Sequence, residues 1–104
     1  MLLATTHTIE GKQLETLGLV HAESIFSKNF AKDIGQGLKS LVGGELKSYT
    51  DLLHTAVESA NNHLVEAAEA MGADAVVGVQ YSTSNLIDGG AEVIVCGTAV
   101  KFAE

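Results

Sequence analysis

The segment that most constrains the fold is Ala91–Phe102, which is apolar at most of its positions. In a β-strand, successive side chains point to opposite faces of the sheet. Both faces of this strand would then be largely apolar: Ile94, Cys96, Thr98, Val100 and Phe102 on one, and Val93, Val95, Gly97 and Ala99 on the other. A chain of 104 residues has material for one thin core. We therefore expect it to cover one face itself and to cover the other by self-association.

The segment just before this strand predicts its hairpin partner. Ala75–Ser84 alternates like a strand, and Asn85–Gly90 is rich in turn-forming residues. Strict alternation would place Ala75, Val77, Val79 and Tyr81 on one face and Val76, Gly78, Gln80 and Ser82 on the other. The two strands therefore form an antiparallel pair.

Another strand is predicted near the N-terminus, over Leu14–Phe26. One of its faces is small and mostly apolar, which makes it the better candidate for the core: Gly18, Val20, Ala22, Ser24 and Phe26. The opposite face mixes aliphatic and polar residues: Leu17, Leu19, His21, Glu23 and Ile25. A short strand around Leu3–Thr6 and a turn at residues 10–12 precede it.

Two segments have helical periodicity. Leu46–Met71 is the clearest element, since its apolar residues fall on one stripe: Tyr49, Leu52, Leu53, Ala56, Val57, Ala60, Leu64, Ala67, Ala68 and Met71. Gly72 follows it as a left-handed C-cap. Ser27–Val42 predicts a shorter helix, ended by Gly43-Gly44. The order predicts a single α+β domain over residues 1–104, with a small antiparallel sheet packed on one long and one shorter helix.

The composition excludes several classes of partner. The formal net charge is −7 with six basic residues, whereas nucleic acids and anionic membranes are bound by clustered Lys and Arg. No window of about 18 apolar residues is present, so we expect no membrane span. The start of the chain lacks the basic and apolar regions of a signal peptide. A single cysteine, Cys96, cannot form a disulfide within the chain, and we expect a cytoplasmic protein.

Several sequence blocks together resemble the YbjQ-like family of heavy-metal-binding domains. These are GLVHAESI near the start, VGGELKSY before the long helix, MGADAVVGV, and CGTAV in the last strand. The resemblance covers about Thr5 to Lys101. It implies a small α+β domain with a dodecin-like arrangement, assembled as a ring-shaped homopentamer, with a metal as the implied ligand.

The chain departs from the family pattern at polar positions. The family usually has Thr-Gly-Glu where His21-Ala22-Glu23 stand, and Arg where Glu45 stands. It also has an acidic run where this chain has residues 80–84, QYSTS. Glu23 is the carboxylate that the resemblance carries over.

His21 and Glu23 form the candidate metal site. They lie two apart on one strand, so both side chains point the same way. An imidazole and a carboxylate are suitable ligands for zinc or another divalent transition metal, although structural zinc normally takes about four ligands. The alternative is a hydrogen-bonded polar pair at a subunit interface or a sheet edge.

Other candidate groups favour structural interpretations. Cys96 is interpreted as a small core residue, because a reactive thiol needs a nearby cation or helix N-terminus. Asp51, His54 and Glu58 share one helix face and are interpreted as solvated side chains. No phosphate loop, dinucleotide fingerprint or catalytic set is recognisable.

The sequence therefore predicts a non-catalytic, homo-oligomeric ligand-binding domain that holds a divalent or heavy-metal ion through His21 and Glu23. The alternative is a structural or interaction module, a homo-oligomeric scaffold with no small ligand.

Overall fold

The computed structural model describes residues 1–27, 45–84 and 90–103, which form four strands and one helix. The strands are β1 (Leu2–Leu3), β2 (Gln13–Ser27), β3 (Ala75–Ser84) and β4 (Gly90–Ala103), and the helix is α1 (Glu45–Ala70). The predicted shorter helix over 27–42 lies outside the described residues, except that Ser27 ends β2. The predicted turn over 85–90 also lies outside them, except that Gly90 begins β4.

The sheet is mixed rather than wholly antiparallel, with strand order β1-β3-β4-β2. The expected antiparallel pairs are present, because β4 pairs antiparallel with both β3 and β2. The two-residue β1, however, pairs parallel with β3 through Leu2–Ala75 and Leu3–Val76. The prediction of an antiparallel sheet was therefore wrong at this edge. The residues of a strand alternate in the same way whether it pairs parallel or antiparallel, so the sequence pattern does not show the strand's direction.

Two β-bulges change the faces that strict alternation predicts. The bulge in β3 lies between Val77 and Gln80 and includes Gly78, whose φ is +62°. Past it, Val79 joins Val76 in the core under the helix, whereas Ala75 and Val77 belong to a second cluster. The predicted faces of β3 were therefore wrong beyond Gly78, because the inserted residue of a bulge shifts the alternation by one.

The second bulge lies in β2, between Thr16 and Gly18. It turns Leu17 away from the face of Leu19, so that Leu17 packs against the main core. Beyond the bulge the alternation holds: Val20, Ala22 and Ser24 are buried, as the sequence predicts.

The core lies between α1 and one face of the sheet. The helix contributes the fully buried Ala56, Ala60, Leu64 and Ala68, and β4 contributes Val93, Val95 and Ala99. The alanines let the helix approach the sheet closely. The predicted stripe is confirmed along its centre but is narrower than expected, since Leu53 and Met71 are exposed.

The helix ends as the sequence predicts. Gly72 has a φ of +81°, its N–H donates to the carbonyl of Glu69, and the N–H of Ala73 donates to the carbonyl of Ala68. These two bonds form a Schellman motif, which satisfies carbonyls that the helix end leaves free. No helix among the described residues is long and apolar enough to cross a membrane.

The sheet face opposite α1 is covered only at one end by described residues. There Ile9 and Leu14 pack with Ala75, Val77, Val100 and Phe102. The rest of this surface, here called the open face, consists of side chains from three strands: Leu19, His21, Glu23 and Ile25 of β2, Gln80 and Ser82 of β3, and Glu92, Ile94, Cys96 and Thr98 of β4. Leu19 is 73% exposed, Ile25 52% and Ile94 36%.

Candidate functional site

Strand β2 places His21 and Glu23 side by side on the open face. Because Val20, Ala22 and Ser24 are buried under the helix, the residues between them point to the opposite face. The Nδ1 atom of His21 lies 3.1 Å from Oε2 of Glu23. The two side chains are 62% and 52% exposed, so the pair faces solvent within one chain.

This contact has a consequence for the chemistry of His21. An ionised carboxylate can only accept hydrogen bonds, so the Nδ1–H of His21 is the donor. In the neutral imidazole the lone pair then lies on Nε2. A carboxylate that accepts from one ring nitrogen while the other nitrogen binds a metal is a common arrangement in metalloproteins. The pair thus presents Nε2 as a metal ligand.

The neighbouring strands add few further ligands. His21 lies opposite Cys96 of β4, Glu23 lies opposite Ile94, and Cys96 also pairs with Gln80 of β3. Cys96 is half-buried. Among the residues that the structure describes, no three His, Cys, Asp or Glu side chains come close enough to hold a metal ion together. One chain therefore supplies a pair of ligands and not a complete site.

The second candidate group, on α1, is solvated only in part: the prediction was wrong for Asp51, which is half-buried and whose Oδ2 atom is buried without a hydrogen-bond partner among the described residues. The Nε2 atom of His54 lies 3.4 Å from Oε1 of Glu58, and both side chains are largely exposed. This pair fits a solvated helix face with an i,i+4 contact, which stabilises a helix by about 0.2–0.5 kcal/mol.

The structure also singles out Glu92, to which the sequence analysis assigned no role. It lies on the same face of β4 as Ile94, opposite Ile25 of β2 and Ser84 of β3. Its Oε2 atom is buried and has no hydrogen-bond partner among the described residues. In the sequence, the only sign of this buried carboxylate is that Glu92 is the one acidic residue within the apolar strand β4.

The whole chain matches one family model. Residues 1–103 match the YbjQ family, whose description is "Putative heavy-metal-binding". The chain belongs to this family. The resemblance stated from the sequence blocks is thereby confirmed.

Relatives from distant organisms share the full length of this YbjQ-family chain. It is 52% identical to a UPF0145 protein of Clostridium novyi over 98% of this chain and 99% of the relative. It is 47% identical to a UPF0145 protein of Halorubrum lacusprofundi and 51% identical to one of Methanosarcina acetivorans; these two alignments cover 98% of this chain and 99% and 97% of the relatives.

A solved structure shares the fold. It is a crystal structure of a protein of unknown function from the DUF74 family of Pediococcus pentosaceus. The TM-score is 0.68 at 15% sequence identity, covering 99% of this chain and 98% of that one. At this identity the similarity establishes the α+β fold alone.

Proposed function

We propose that this protein is a non-catalytic, homo-oligomeric domain of the cytoplasm that binds a divalent transition-metal ion through His21 and Glu23. The observation that carries the proposal is the hydrogen bond from Nδ1 of His21 to Glu23. A carboxylate acceptor at Nδ1 favours the tautomer in which Nε2 is free to coordinate, and the His21 side chain is 62% exposed on the open face. The family description points to the same class of ligand.

The incomplete ligand set is the reason to connect metal binding with self-association. One chain supplies an imidazole and a carboxylate, whereas a structural zinc site takes about four ligands. Symmetry can multiply a pair of ligands when copies meet at the open face or at the edge of the sheet. Ligands from two or more copies in an oligomer can therefore complete the metal site.

The surface of the chain supports self-association independently. Exposed Leu19, Ile25 and Ile94 lie on the open face, and within the described part of the chain no strand pairs with the outer edge of the 15-residue β2. An unpaired strand edge is a template for another strand. We take the ring-shaped homopentamer and the dodecin-like arrangement implied by the sequence resemblance as the form of the assembly, with the contacts that close the ring made outside the β2 edge.

The alternative function is a homo-oligomeric scaffold without a small ligand. The observation in its favour is that Glu23 already has a hydrogen-bond partner, His21, within the chain. In that case the pair would serve as a polar contact between copies.

Zinc titration by isothermal calorimetry on tag-free protein at neutral pH separates the two functions. The chain contains a matched control, because His54–Glu58 is a second exposed His–Glu pair. We expect His21→Gln and Glu23→Gln each to weaken zinc binding by at least tenfold, and His54→Gln and Glu58→Gln to leave it unchanged.

Two results would contradict the metal-binding proposal. One is the absence of zinc, nickel or copper binding by the wild type, which would leave the scaffold. The other is equal weakening by both pairs of variants, which would indicate unspecific binding to surface side chains.

A further inference from the structure

The outer edge of β2 carries a pattern of side chains that is complementary to itself. Along the open face the strand reads Leu19, His21, Glu23, Ile25, with side chains more than a third exposed at each position. The order is apolar, basic, acidic, apolar. Read from the other end it is apolar, acidic, basic, apolar, so a second copy running antiparallel places an apolar side chain against each apolar one and Glu23 against His21.

We infer that β2 pairs antiparallel with β2 of a second copy about a two-fold axis at Ala22, and that this contact completes a metal site of two His21 and two Glu23 side chains. The inference rests on the proposed function, because it uses the same ligands. The occupant of the β2 edge is a second copy of this chain, and the ion is a divalent transition metal.

The register follows from the side chains. With the axis at Ala22, each His21 lies opposite Glu23 of the other copy, and each Leu19 lies opposite Ile25. Moving the axis to Glu23 would set the two Glu23 carboxylates against each other, and moving it to His21 would set Glu23 against Leu19. Two carboxylates directly opposite each other destabilise a strand pair, whereas apolar pairs stabilise it. A carboxylate opposite a neutral imidazole meets no like charge. The axis at Ala22 is the register among these three that matches all four side chains.

The backbone geometry of such a pair suits metal binding. Directly opposite residues on one face have Cβ atoms about 4.5–5.5 Å apart, and residues two apart on one strand are about 7 Å apart. The four side chains therefore lie at the corners of a small rectangle on one surface. Two imidazole Nε2 atoms and one oxygen from each Glu23, the Oε1 atom that the hydrogen bond from His21 leaves free, form a set of nitrogen and oxygen ligands suited to four-coordinate zinc.

The small side chains at the centre of the core face of β2 suit this contact. A two-fold axis perpendicular to the sheet keeps the helices of both copies on one side and the metal ligands on the other. The residues at the centre of the core face of β2 are small: Ala22 would meet Ala22, and Val20 would meet Ser24. The pairing also extends the sheet across the outer β2 edge.

A two-fold contact is distinct from the contact that closes a ring. A ring with an odd number of subunits is built from heterologous contacts, whereas this contact is isologous. The two-fold contact therefore joins two copies of the metal-free assembly and doubles its mass. The negative charge of each chain, −7 formally, opposes this doubling until the cation binds.

The first test is sedimentation with and without zinc, combined with calorimetric stoichiometry. The inference predicts one zinc ion per two chains and a doubling of the mass on zinc addition. Ile25→Lys, on the paired edge, should abolish the doubling, whereas Leu53→Lys, exposed on α1 and outside the open face, should preserve it. Zinc bound at one ion per chain without a mass change would overturn the inference and leave the proposed function standing. No zinc binding would overturn both.

The second test examines the register by cross-linking in a Cys96→Ser background. Chains carrying Leu19→Cys are mixed with chains carrying Ile25→Cys and oxidised with diamide in the presence of zinc. We expect disulfide-linked pairs in the mixture, at least fivefold more than in either variant alone, and their loss on adding His21→Gln to both chains. Equal cross-linking in the mixture and in the single variants would overturn the register.

Discussion

At the scale of single residues, Gly97 explains the CGTAV block of the sequence. An added Cβ at this position would lie 2.7 Å from Cγ1 of Val76 and 2.9 Å from the backbone carbonyl oxygen of Val77. Both atoms belong to β3, which pairs with β4 here through Val77–Thr98. Glycine is therefore required because the backbones of the two strands approach closely, and not because of an unusual backbone angle.

We expect Gly97→Ala to destabilise the protein by about 1–3 kcal/mol, the usual cost of overpacking a tight core. Thr98→Ala is the matched control, because it shortens the next side chain, which is half-buried on the other face. Urea unfolding at one fixed protein concentration measures both. An unchanged midpoint for Gly97→Ala would show that β3 can move away from β4 without cost.

Gly78 has a different role, although it stands in the neighbouring GADAVVG block. Its φ of +62° lies in the left-handed region, and an added Cβ would come within 3.3 Å of the His7 ring. The residue forms the bulge that reverses the faces of β3. The sequence pattern does not separate Gly78 from Gly97, because a glycine required by a close backbone approach and one required by a positive φ look the same in a sequence.

At the scale of elements, periodicity predicted the helix and the three long strands to within about one residue at each end. The helix was expected at Leu46–Met71 and is found at Glu45–Ala70; the last strand was expected at Ala91–Phe102 and is found at Gly90–Ala103. Sidedness was predictable where alternation is unbroken, as at Val20, Ala22 and Ser24 of β2. It failed at the bulges, because one inserted residue changes the face of every residue beyond it.

The helix provides a matched pair of substitutions that tests its assigned face. Leu64 is fully buried against the sheet, whereas Leu53, on the same helix, is 42% exposed. We expect Leu64→Ala to cost about 2–5 kcal/mol through lost burial and a residual cavity. Leu53→Ala should cost less than about 1 kcal/mol, because its side chain is already largely in water. Equal losses of unfolding free energy for the two variants would show that the helix face assigned to the core is wrong.

The candidate site was predictable in its residues but not in its internal geometry. Spacing of two on a strand was enough to put His21 and Glu23 on one face. The hydrogen bond between them depends on side-chain rotamers, which the spacing does not determine. Glu92 was not predictable as a buried group, since its burial depends on how strands far apart in sequence come together.

At the scale of the whole molecule, a single chain buries only part of the two apolar faces of β4. The helix covers Val93, Val95 and Ala99, and the N-terminal segment covers Val100. Ile94, with Leu19 and Ile25 beside it on β2, stays exposed. Several neighbouring exposed aliphatic side chains on one surface are typical of an interaction site.

We therefore expect the metal-free protein to be larger than one chain in solution. Light scattering at micromolar concentration should give a multiple of 10.8 kDa, fivefold if the ring has the size that the resemblance implies. Leu19→Lys should reduce the mass if the open face contributes to the assembly, because it places a charge on that apolar surface. A monomer for the wild type would contradict self-association of any size.

The central claim, that the His21–Glu23 pair binds a metal ion, is tested most directly by the metal content of the purified protein. Tag-free wild type and a double variant, His21→Gln with Glu23→Gln, are purified in parallel without chelators and examined by inductively coupled plasma mass spectrometry. A third sample, His54→Gln with Glu58→Gln, controls for unspecific binding to exposed His–Glu pairs. We predict a divalent transition metal in the wild type and in the control, and its loss from the His21 and Glu23 variant. Equal metal content in all three samples, or none in the wild type, would contradict the claim.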